Sequence, residues 1–203
     1  MSMVNKILVA GMIAAALLVA FVVIDVTAAP AGQAADLENA DNTNWDLTIG
    51  GIVSNPLRIT YQELLAMPSV TKRAVLVCVD DTSGMYAIEA AWTGVPLKDI
   101  LEQAGPLDNA LKVAFFSIDG YSTDLDLESA MNSDVLVAYM KDNSPASTWQ
   151  GSNSLRLVVP GRWGYKWANW LAEIRVMDYD FLGLWESKGE SDEGLIPENA
   201  MLR

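Results

Sequence analysis

Short runs of alternating apolar and polar residues dominate the chain from residue 45 onward. Residues 45–60 alternate around a Gly-Gly pair and an Asn-Pro turn, which predicts two short strands. A short helix is predicted next, because Thr60 suits the N-cap position, Glu63 the capping-box position, and Pro68 follows the helical pattern. The hydrophobic pattern therefore begins with a strand pair leading into a helix.

The run RAVLVCV at residues 73–79 is apolar at nearly every position and rich in valine. Such a run is typical of a strand buried on both faces, and it places Cys78 near the end of that strand. A polar loop follows, and then a helix is predicted that Pro96 opens and Gly105 closes.

The second half of the chain repeats the pattern of short apolar strands separated by polar turns. We predict a strand, a turn and a second strand or short helix at residues 110–131, and a further strand at 134–143. A polar loop at 141–153 leads to a buried strand at 155–160. An irregular turn and a strand at 167–180 then precede an acidic carboxy-terminal tail that includes 181–194. Many short strands with two or three short helices favour a mixed α+β domain over a doubly wound one.

The amino terminus carries a targeting pattern. After Lys6, residues 7–24 are eighteen apolar residues without a charge, and Asp25 follows them. We expect residues 1–28 to be a signal peptide or a membrane anchor, with the bulk of the chain on the outer side of the membrane. Residues 29–44 are small, polar and acidic, which predicts a flexible tether to a single domain at residues 45–203.

Composition narrows the possible chemistry. A chain of 203 residues with 51% hydrophobic content suffices for one domain with a sizeable core. The net charge of −13 argues against a nucleic-acid partner, because neutralising phosphates requires a basic face. Histidine is absent and Cys78 is the only cysteine, which excludes histidine-based triads, imidazole-bound zinc and an internal disulfide. Metal chemistry must use that sulfur, carboxylates, or ligands brought by a cofactor.

Three cations are concentrated in residues 155–171 of this acidic chain. Arg156 lies within an apolar strand, where an unpaired charge is costly, so it must meet an anion. Arg162 and Lys166 follow a Pro-Gly turn whose backbone amides are suited to a phosphate. Either these cations form an anion-binding loop, or they pair with the abundant Asp and Glu residues of the chain.

Cys78 also has two interpretations. A lone cysteine in an apolar strand is most often a small buried hydrophobe. At a strand end beside a loop it can instead be a soft thiolate ligand, which Lys72 or Arg73 could favour electrostatically. The tryptophans at 163, 167 and 170 are similarly open, because they could pack in the core or wall a cofactor cleft.

Several motifs in this order resemble the molybdopterin-binding domain of the sulfite oxidase family. They are VLVCV at 75–79, WTGVPLKDILEQAG at 92–105, DGYSTDLDLESA at 119–130 and LRLVVPGRWGYKWANWL at 155–171. The resemblance covers roughly residues 45–197 and is greatest to small exported prokaryotic members, related to the molybdenum-dependent methionine sulfoxide reductase catalytic subunit. It implies mixed β-sheets with a few short helices.

The resemblance also implies roles for individual residues around a molybdenum-molybdopterin cofactor. Cys78 would give its thiolate to the metal, Arg156 and Lys166 would bind the phosphate-bearing end of the pterin, and residues 121–123 would line the pocket. We therefore expect Cys78 as metal ligand, Cys78 and Tyr121 as catalytic residues, and a cofactor-binding set of Cys78, Tyr121, Ser122, Thr123, Arg156, Gly161, Arg162, Gly164 and Lys166.

Some positions depart from the family pattern. Gln150 or Asn153 stands nearest to the histidine or asparagine that members carry before the RLVVPG strand, and Asn169 replaces a lysine. Sulfite oxidases surround their substrate with several arginines, whereas Arg162 is the main spare one here. This difference argues against sulfite as the substrate.

The resemblance implies an extracytoplasmic oxidoreductase that transfers an oxygen atom to or from a small molecule such as a sulfoxide, sulfite or N-oxide. An external redox protein would exchange the electrons, because one cysteine and no histidine leave no internal haem or iron–sulfur relay in this sequence. The alternative is a membrane-anchored binding or structural module of the same fold without the cofactor.

Overall fold

The computed structural model of the chain describes residues 45–79 and 87–197. The predicted leader at 1–28 and the predicted tether at 29–44 lie outside these residues. Within the two described ranges, no helix combines the length and the apolar character that crossing a membrane requires.

Strands account for most of the regular structure. In chain order they are β1 (Asp46–Gly51), β2 (Leu57–Thr60), β3 (Val70–Val77), β4 (Ala87–Pro96), β5 (Lys112–Ser117), β6 (Ser122–Asp126), β7 (Leu136–Lys141), β8 (Ser144–Pro145), β9 (Ser147–Trp149), β10 (Ser152–Ser154), β11 (Arg156–Val158) and β12 (Leu171–Met177). The α-helices of the described ranges are α1 (Tyr61–Ala66), α2 (Leu97–Ala104) and α3 (Leu127–Ala130).

The strands form two five-stranded sheets and a small hairpin. The first sheet has the order β2-β1-β12-β5-β6, in which β1 and β12 are parallel. The second has the order β11-β7-β4-β3, with β8 paired to β7, while β9 and β10 form the hairpin. This mixture of sheets with few short helices confirms the predicted α+β class.

Both helices predicted from the sequence are present and end where their caps require. The Thr60 side chain accepts a hydrogen bond from the Glu63 amide, and the Glu63 carboxylate accepts one from the Thr60 amide, which confirms the capping box at α1. At the end of α2, Gly105 has a φ of 66°, a left-handed conformation that glycine adopts without a steric penalty.

One hydrophobic core joins the two sheets and α2. The first sheet contributes Ile49 and Ile174, which are parallel neighbours on β1 and β12. From the second sheet, Trp92 meets Trp167 edge to face, with ring centroids 5.7 Å apart. The loop after β11 is therefore packed into the core at Trp167.

The strand that leads to Cys78 is placed differently from the prediction. The prediction that this strand is buried on both faces was wrong, because Ala74 is the one buried residue of β3 and Val75 is 39% exposed. The physical reason is topological: β3 is the end strand of the second sheet as described, paired to β4 on one side. Its apolar composition therefore did not determine how deeply it lies.

Two polar segments are more ordered than the sequence indicated. The predicted loop at 141–153 contains β8 and the β9–β10 hairpin, with Asp142 and Asn143 at positive φ between β7 and β8. The acidic carboxy-terminal segment was predicted as a tail, but it packs onto the domain. It contains a 3₁₀ helix at Glu186–Lys188, and its Glu186 and Ile196 side chains are buried.

Candidate functional site

A cleft of about 320 Å³ opens at the end of β3. This volume is within the range of roughly 300–1,000 Å³ typical of small-molecule sites. Segments distant in sequence converge on it, and its described lining consists of Leu76, Cys78, Val79, Asp119, Tyr121, Gly164, Tyr165, Trp167, Asn169 and Trp185. The described lining is therefore mostly aromatic and apolar, with one thiol, one amide and one carboxylate.

Cys78 follows β3 directly, and its half-buried thiol lines the cleft. Cys78 is thus a residue of the cleft lining and is not sealed in the core as a small hydrophobe. The two cations close to it in sequence are paired elsewhere: Lys72 with Asp134, and Arg73 with Glu89 at 3.0 Å. Neither cation is part of the described lining of the cleft around Cys78.

Tyr121 lines the cleft as predicted and organises the turn before β6. Its amide donates a hydrogen bond to the Asp119 carboxylate at 3.0 Å, and its hydroxyl donates one to the Tyr165 carbonyl. Burial raises the pKa of Tyr121 well above its usual value, and the negative charge of Glu186 adds to the effect. The phenol is therefore a neutral donor at physiological pH.

Ser122 and Thr123 follow Tyr121 but are not part of the described lining of the cleft. The Ser122 carbonyl accepts a hydrogen bond from the Leu184 amide at 2.9 Å. The buried Thr123 hydroxyl donates one to Glu186 at 2.6 Å. Both residues thus face the carboxy-terminal segment, and their predicted contact with the cofactor stays a prediction.

Gly164 lies where the loop after β11 crosses the end of β3. A Cβ atom at this position would lie 3.0 Å from the Val77 carbonyl oxygen and 3.3 Å from Leu76 Cδ2. Glycine therefore lets the 3₁₀ helix at Gly164–Lys166 pack directly against the residues that precede Cys78.

Arg156 is largely buried and is not part of the described lining of the cleft. Its backbone forms an isolated antiparallel bridge with Asn169, whose side chain lines the cleft. Its guanidinium lies 5.8 Å from the ring centroid of Trp92, and burial lowers the pKa of Arg156 to about 10. Arg156 Nε and Asn169 Oδ1 are both buried without a hydrogen-bond partner.

Arg162 lies in a different place from Arg156. Its guanidinium donates hydrogen bonds to the Ser129 hydroxyl at 2.6 Å and to the Glu193 carbonyl, and lies 4.0 Å from the Asp126 carboxylate. Together with Gly161 it lines a separate groove beside α3. The roles predicted for Arg162 and Gly161 at the cofactor stay predictions, and no described contact supports them.

Lys166 is fully buried, and its ammonium contacts carboxylates of the protein itself. Its Nζ atom lies 2.7 Å from Glu186 Oε1, 3.4 Å from Asp124 Oδ1 and 3.6 Å from Asp192 Oδ1. Its predicted contact with a cofactor phosphate stays a prediction that these contacts do not favour. The three cations that are close in sequence thus occupy three separate environments.

Two further residues that the sequence singled out lie away from the described lining of the cleft. Gln150 is exposed at the tip of the β9–β10 hairpin with a φ of 48°. Asn153 is buried on β10, and its Nδ2 atom has no hydrogen-bond partner.

Sequence reasoning did not identify Asp119, Tyr165 or Trp185 as site residues. Asp119 and Tyr165 are immediate neighbours of predicted positions, so the motifs already pointed to their surroundings. Trp185 belongs to the acidic segment, and no local pattern connects it to the cleft. Trp167 satisfies both interpretations of the tryptophans, because it packs on Trp92 and lines the cleft.

Comparisons with known proteins identify the family and the fold of the chain. The family model described as oxidoreductase molybdopterin binding domain matches residues 34–185. The uncharacterized oxidoreductase YuiH of Bacillus subtilis is 30% identical over 149 residues, which cover 73% of either chain. The protein-methionine-sulfoxide reductase catalytic subunit MsrP of Gluconobacter oxydans is 29% identical over 168 residues.

Other relatives are larger than this chain. The match to MsrP spans 74% of this chain and 52% of that protein. An NADH-dependent nitrate reductase of Volvox carteri is 32% identical over 66% of this chain and 19% of its own. The crystal structure of the sulfane dehydrogenase SoxCD from Paracoccus pantotrophus shares the fold, with a TM-score of 0.60 and 23% identity over 66% of this chain and 38% of that one.

Proposed function

The chain belongs to the family of oxidoreductase molybdopterin-binding domains. From this premise we propose that it reduces a small neutral sulfoxide or N-oxide outside the cytoplasm. Membership confirms the predicted sulfite-oxidase-type domain, an oxidoreductase with a molybdenum-molybdopterin cofactor. Because the chain spans only part of most of these relatives, their activities do not transfer to it directly.

The single observation that carries the proposal is that Cys78 lines an aromatic cleft. A soft thiolate is a suitable protein ligand for molybdenum beside the two sulfurs that the pterin brings. No other cysteine is available in the sequence, so this residue would hold the metal.

Unpaired polar atoms of the cleft-lining Asn169 and of its bridge partner Arg156 fit the organic part of the cofactor. Arg156 Nε is a buried donor and needs an acceptor, which the phosphate group of molybdopterin offers. Asn169 Oδ1 is a buried acceptor and needs a donor, which the amino and ring NH groups of a pterin offer. Without a ligand both atoms carry a desolvation cost, so these residues fit a bound polar group.

Molybdenum-molybdopterin, when bound, supplies oxygen-atom transfer coupled to two electrons. Reduction of a sulfoxide to a sulfide consumes two electrons and two protons and releases one water molecule. Asp119 is the described carboxylate of the lining, and the Tyr121 amide orients it, so we assign it to proton relay, in which the carboxylate takes up a proton from water and passes it to the substrate oxygen. The rings of Trp167 and Trp185 would exclude water and contact the sulfur substituents of the substrate.

Electrostatics favour a neutral substrate over sulfite. Among the described residues that line the cleft, Asp119 is the one charged side chain, and its charge repels an anion. Arg162, the arginine that sequence analysis offered for an anionic substrate, faces a separate groove. A sulfoxide or N-oxide avoids this repulsion.

The location and the electron source also belong to the proposal. The apolar residues 7–24 support export or anchoring, with residues 29–44 as a tether. A separate redox protein would deliver the electrons, since these 203 residues contain one cysteine and no histidine for an internal relay.

A dye-linked assay tests the proposed reaction. The protein would be made in a host that synthesises the cofactor, and its molybdenum content would be matched between samples. With a reduced dye as electron source, we expect kcat/KM for a neutral sulfoxide or N-oxide at least tenfold above that for sulfite oxidation with an oxidised dye. Preferential sulfite oxidation by the loaded protein would refute the assignment of substrate class.

A further inference from the structure

A buried ion network involves two lysines and includes Lys166 and Glu186, which adjoin in sequence the cleft-lining Tyr165 and Trp185. The Lys166 ammonium contacts Glu186, Asp192 and both the backbone carbonyl and the carboxylate of Asp124. The Lys112 ammonium contacts Asp124 at 2.8 Å and also Asp192. Lys166 and Asp124 are fully excluded from solvent.

Such a network strongly specifies where its members lie. Removing a charge from water costs several kcal/mol, and the structure recovers this only when partners and hydrogen bonds are well placed. The opposing charges raise the pKa of Lys112 although burial alone would lower it. Lys112 and Lys166 are anchored on β5 and on the 3₁₀ helix at Gly164–Lys166, so they fix the positions of the carboxylates.

Two of these carboxylates, Glu186 and Asp192, belong to the acidic carboxy-terminal segment, residues 181–196. Backbone hydrogen bonds tie the segment to the same region at both ends: Leu184 donates to Ser122 at 2.9 Å, and Ile196 donates to Gly161 at 3.0 Å. The segment is therefore fastened at its ends by the backbone and in its middle by the ion network.

The segment also covers Lys166 completely. A Cβ atom at Gly194 would lie 2.8 Å from Lys166 Cγ and 3.1 Å from Lys166 Cε. A side chain at position 194 would thus collide with the lysine stem, and Gly194 has a positive φ of 63°. In this arrangement the ammonium faces carboxylates of the protein, and Lys166 is not part of the described lining of the cleft.

What the network positions is a wall of the cleft. Trp185 immediately precedes Glu186, whose carboxylate is held by Lys166 and by the Thr123 hydroxyl. Trp185 is the one residue of the carboxy-terminal segment in the described lining of the cleft, so the position of this wall depends on how the segment is anchored.

We propose that Lys166 is a positioning residue that locks the carboxy-terminal segment through Glu186 and Asp192, so that Trp185 forms a fixed wall which selects substrates by size. Only the selectivity part rests on the proposed function, since the locking can be measured on protein without cofactor. Lys166 acts through Trp185 and does not touch the substrate.

The locking is tested by hydrogen–deuterium exchange on cofactor-free protein. In Lys166→Met we expect amides of residues 184–196 to exchange at least tenfold faster than in wild type, while β12 remains protected. Glu186→Gln keeps an acceptor for Thr123 but removes the charge, so it serves if Lys166→Met does not fold. Unchanged exchange in either folded variant would overturn the proposal.

A pair of glycine variants tests how closely the segment packs on β6. A Cβ at Gly183 would lie 2.4 Å from Thr123 Cα and 2.6 Å from Glu186 Oε2, so Gly183→Ala should speed exchange in the segment although every charged residue is kept. Gly50→Ala is the matched control, because no atom lies within 4 Å of a Cβ there. Equal exchange in these two glycine variants would contradict the described docking of the segment.

Substrate selectivity is tested on molybdenum-loaded protein. We expect Trp185→Leu and Lys166→Met each to change the KM ratio of a bulky to a small sulfoxide by about fivefold, with kcat changed less than twofold. In the double variant the two effects should not add, because both act through one ring.

Additive effects, or loss of molybdenum in Lys166→Met alone, would make Lys166 a cofactor ligand and overturn the positioning role. Faster exchange without any sulfoxide turnover in wild type would support the lock and reject the proposed function.

Discussion

Arg156 and Asn169 face each other across an isolated antiparallel bridge, and each buries one polar atom that has no hydrogen-bond partner. An unsatisfied buried polar group typically costs about 1–3 kcal/mol. Asn169 lines the same cleft as Cys78, and Arg156 is the bridge partner of Asn169. The protein thus carries a cost at this place that a polar ligand would remove.

Replacing Arg156 should separate stability from cofactor binding. In Arg156→Met the unpaired donor disappears together with the contact to Trp92, worth about 0.5–2 kcal/mol. We expect the free energy of unfolding of cofactor-free protein to change by less than about 1 kcal/mol, because these effects oppose each other. Cofactor content after purification should fall at least tenfold, as measured by pterin fluorescence after oxidative release.

The control for this substitution is Arg58→Gln. Arg58 pairs with Asp46 on the first sheet, and its side chain is 72% exposed. It should retain cofactor like the wild type. Full cofactor content in Arg156→Met would show that the unpaired guanidinium does not serve the ligand.

Gly164 should matter for metal binding through the backbone that carries Cys78. In Gly164→Ala the new methyl group would press on the Val77 carbonyl at 3.0 Å, and the strand end must shift by a few tenths of an ångström. We expect molybdenum per chain to fall at least threefold, with an unchanged far-ultraviolet circular dichroism spectrum. Gly50→Ala, which has open space, controls for the added methyl group. Identical metal content in both variants would reject the coupling.

Tyr61 should make the protein sensitive to alkaline pH. The side chain is fully buried in the core, its hydroxyl lacks a partner, and burial raises its pKa from 10.0 to about 12, with a smaller contribution from Tyr139. Because the folded-state pKa is the higher one, the stabilisation is complete below pH 10 and is lost as pH rises through 12. Each pKa unit corresponds to about 1.4 kcal/mol, so the total loss approaches about 3 kcal/mol.

Urea unfolding of cofactor-free protein at pH 7 and pH 11 measures this effect. Tyr61→Phe should be at least as stable as wild type at pH 7, since it removes an unsatisfied hydroxyl. Its loss of stability between the two pH values should be smaller than in wild type by about 1 kcal/mol. The exposed Tyr179→Phe is the control and should follow the wild type. A parallel decline in wild type and Tyr61→Phe would contradict the described burial.

Features that depend on neighbouring residues could be predicted from the sequence. The capping box of Thr60 and Glu63 and the closure of α2 at Gly105 involve groups within one helical turn, so residue type and spacing suffice. The resemblance to a known family supplied Cys78 and Tyr121, which the structure places together in the cleft.

Features that depend on the tertiary arrangement could not be predicted from the sequence. The valine-rich β3 resembles a central strand, yet its burial depends on strand order, which composition does not encode. The charge partners of Lys166 are Asp124, Glu186 and Asp192, which are 42, 20 and 26 positions away along the chain. No local sequence pattern distinguishes such a buried, ion-paired lysine from a lysine that binds a phosphate.

The central claim is that Cys78 holds molybdenum in this cleft, and molybdenum per chain tests it most directly. Wild type, Cys78→Ser and Val75→Ser would be made in a host that synthesises the cofactor and measured by inductively coupled plasma mass spectrometry. Val75 is an exposed residue of the same strand and serves as the matched control. We predict about one molybdenum per chain in wild type and Val75→Ser, and less than about a tenth of that in Cys78→Ser. Two results would contradict the account. One is folded wild-type protein without metal, which is expected of a purely binding or structural module. The other is equal molybdenum content in wild type and Cys78→Ser.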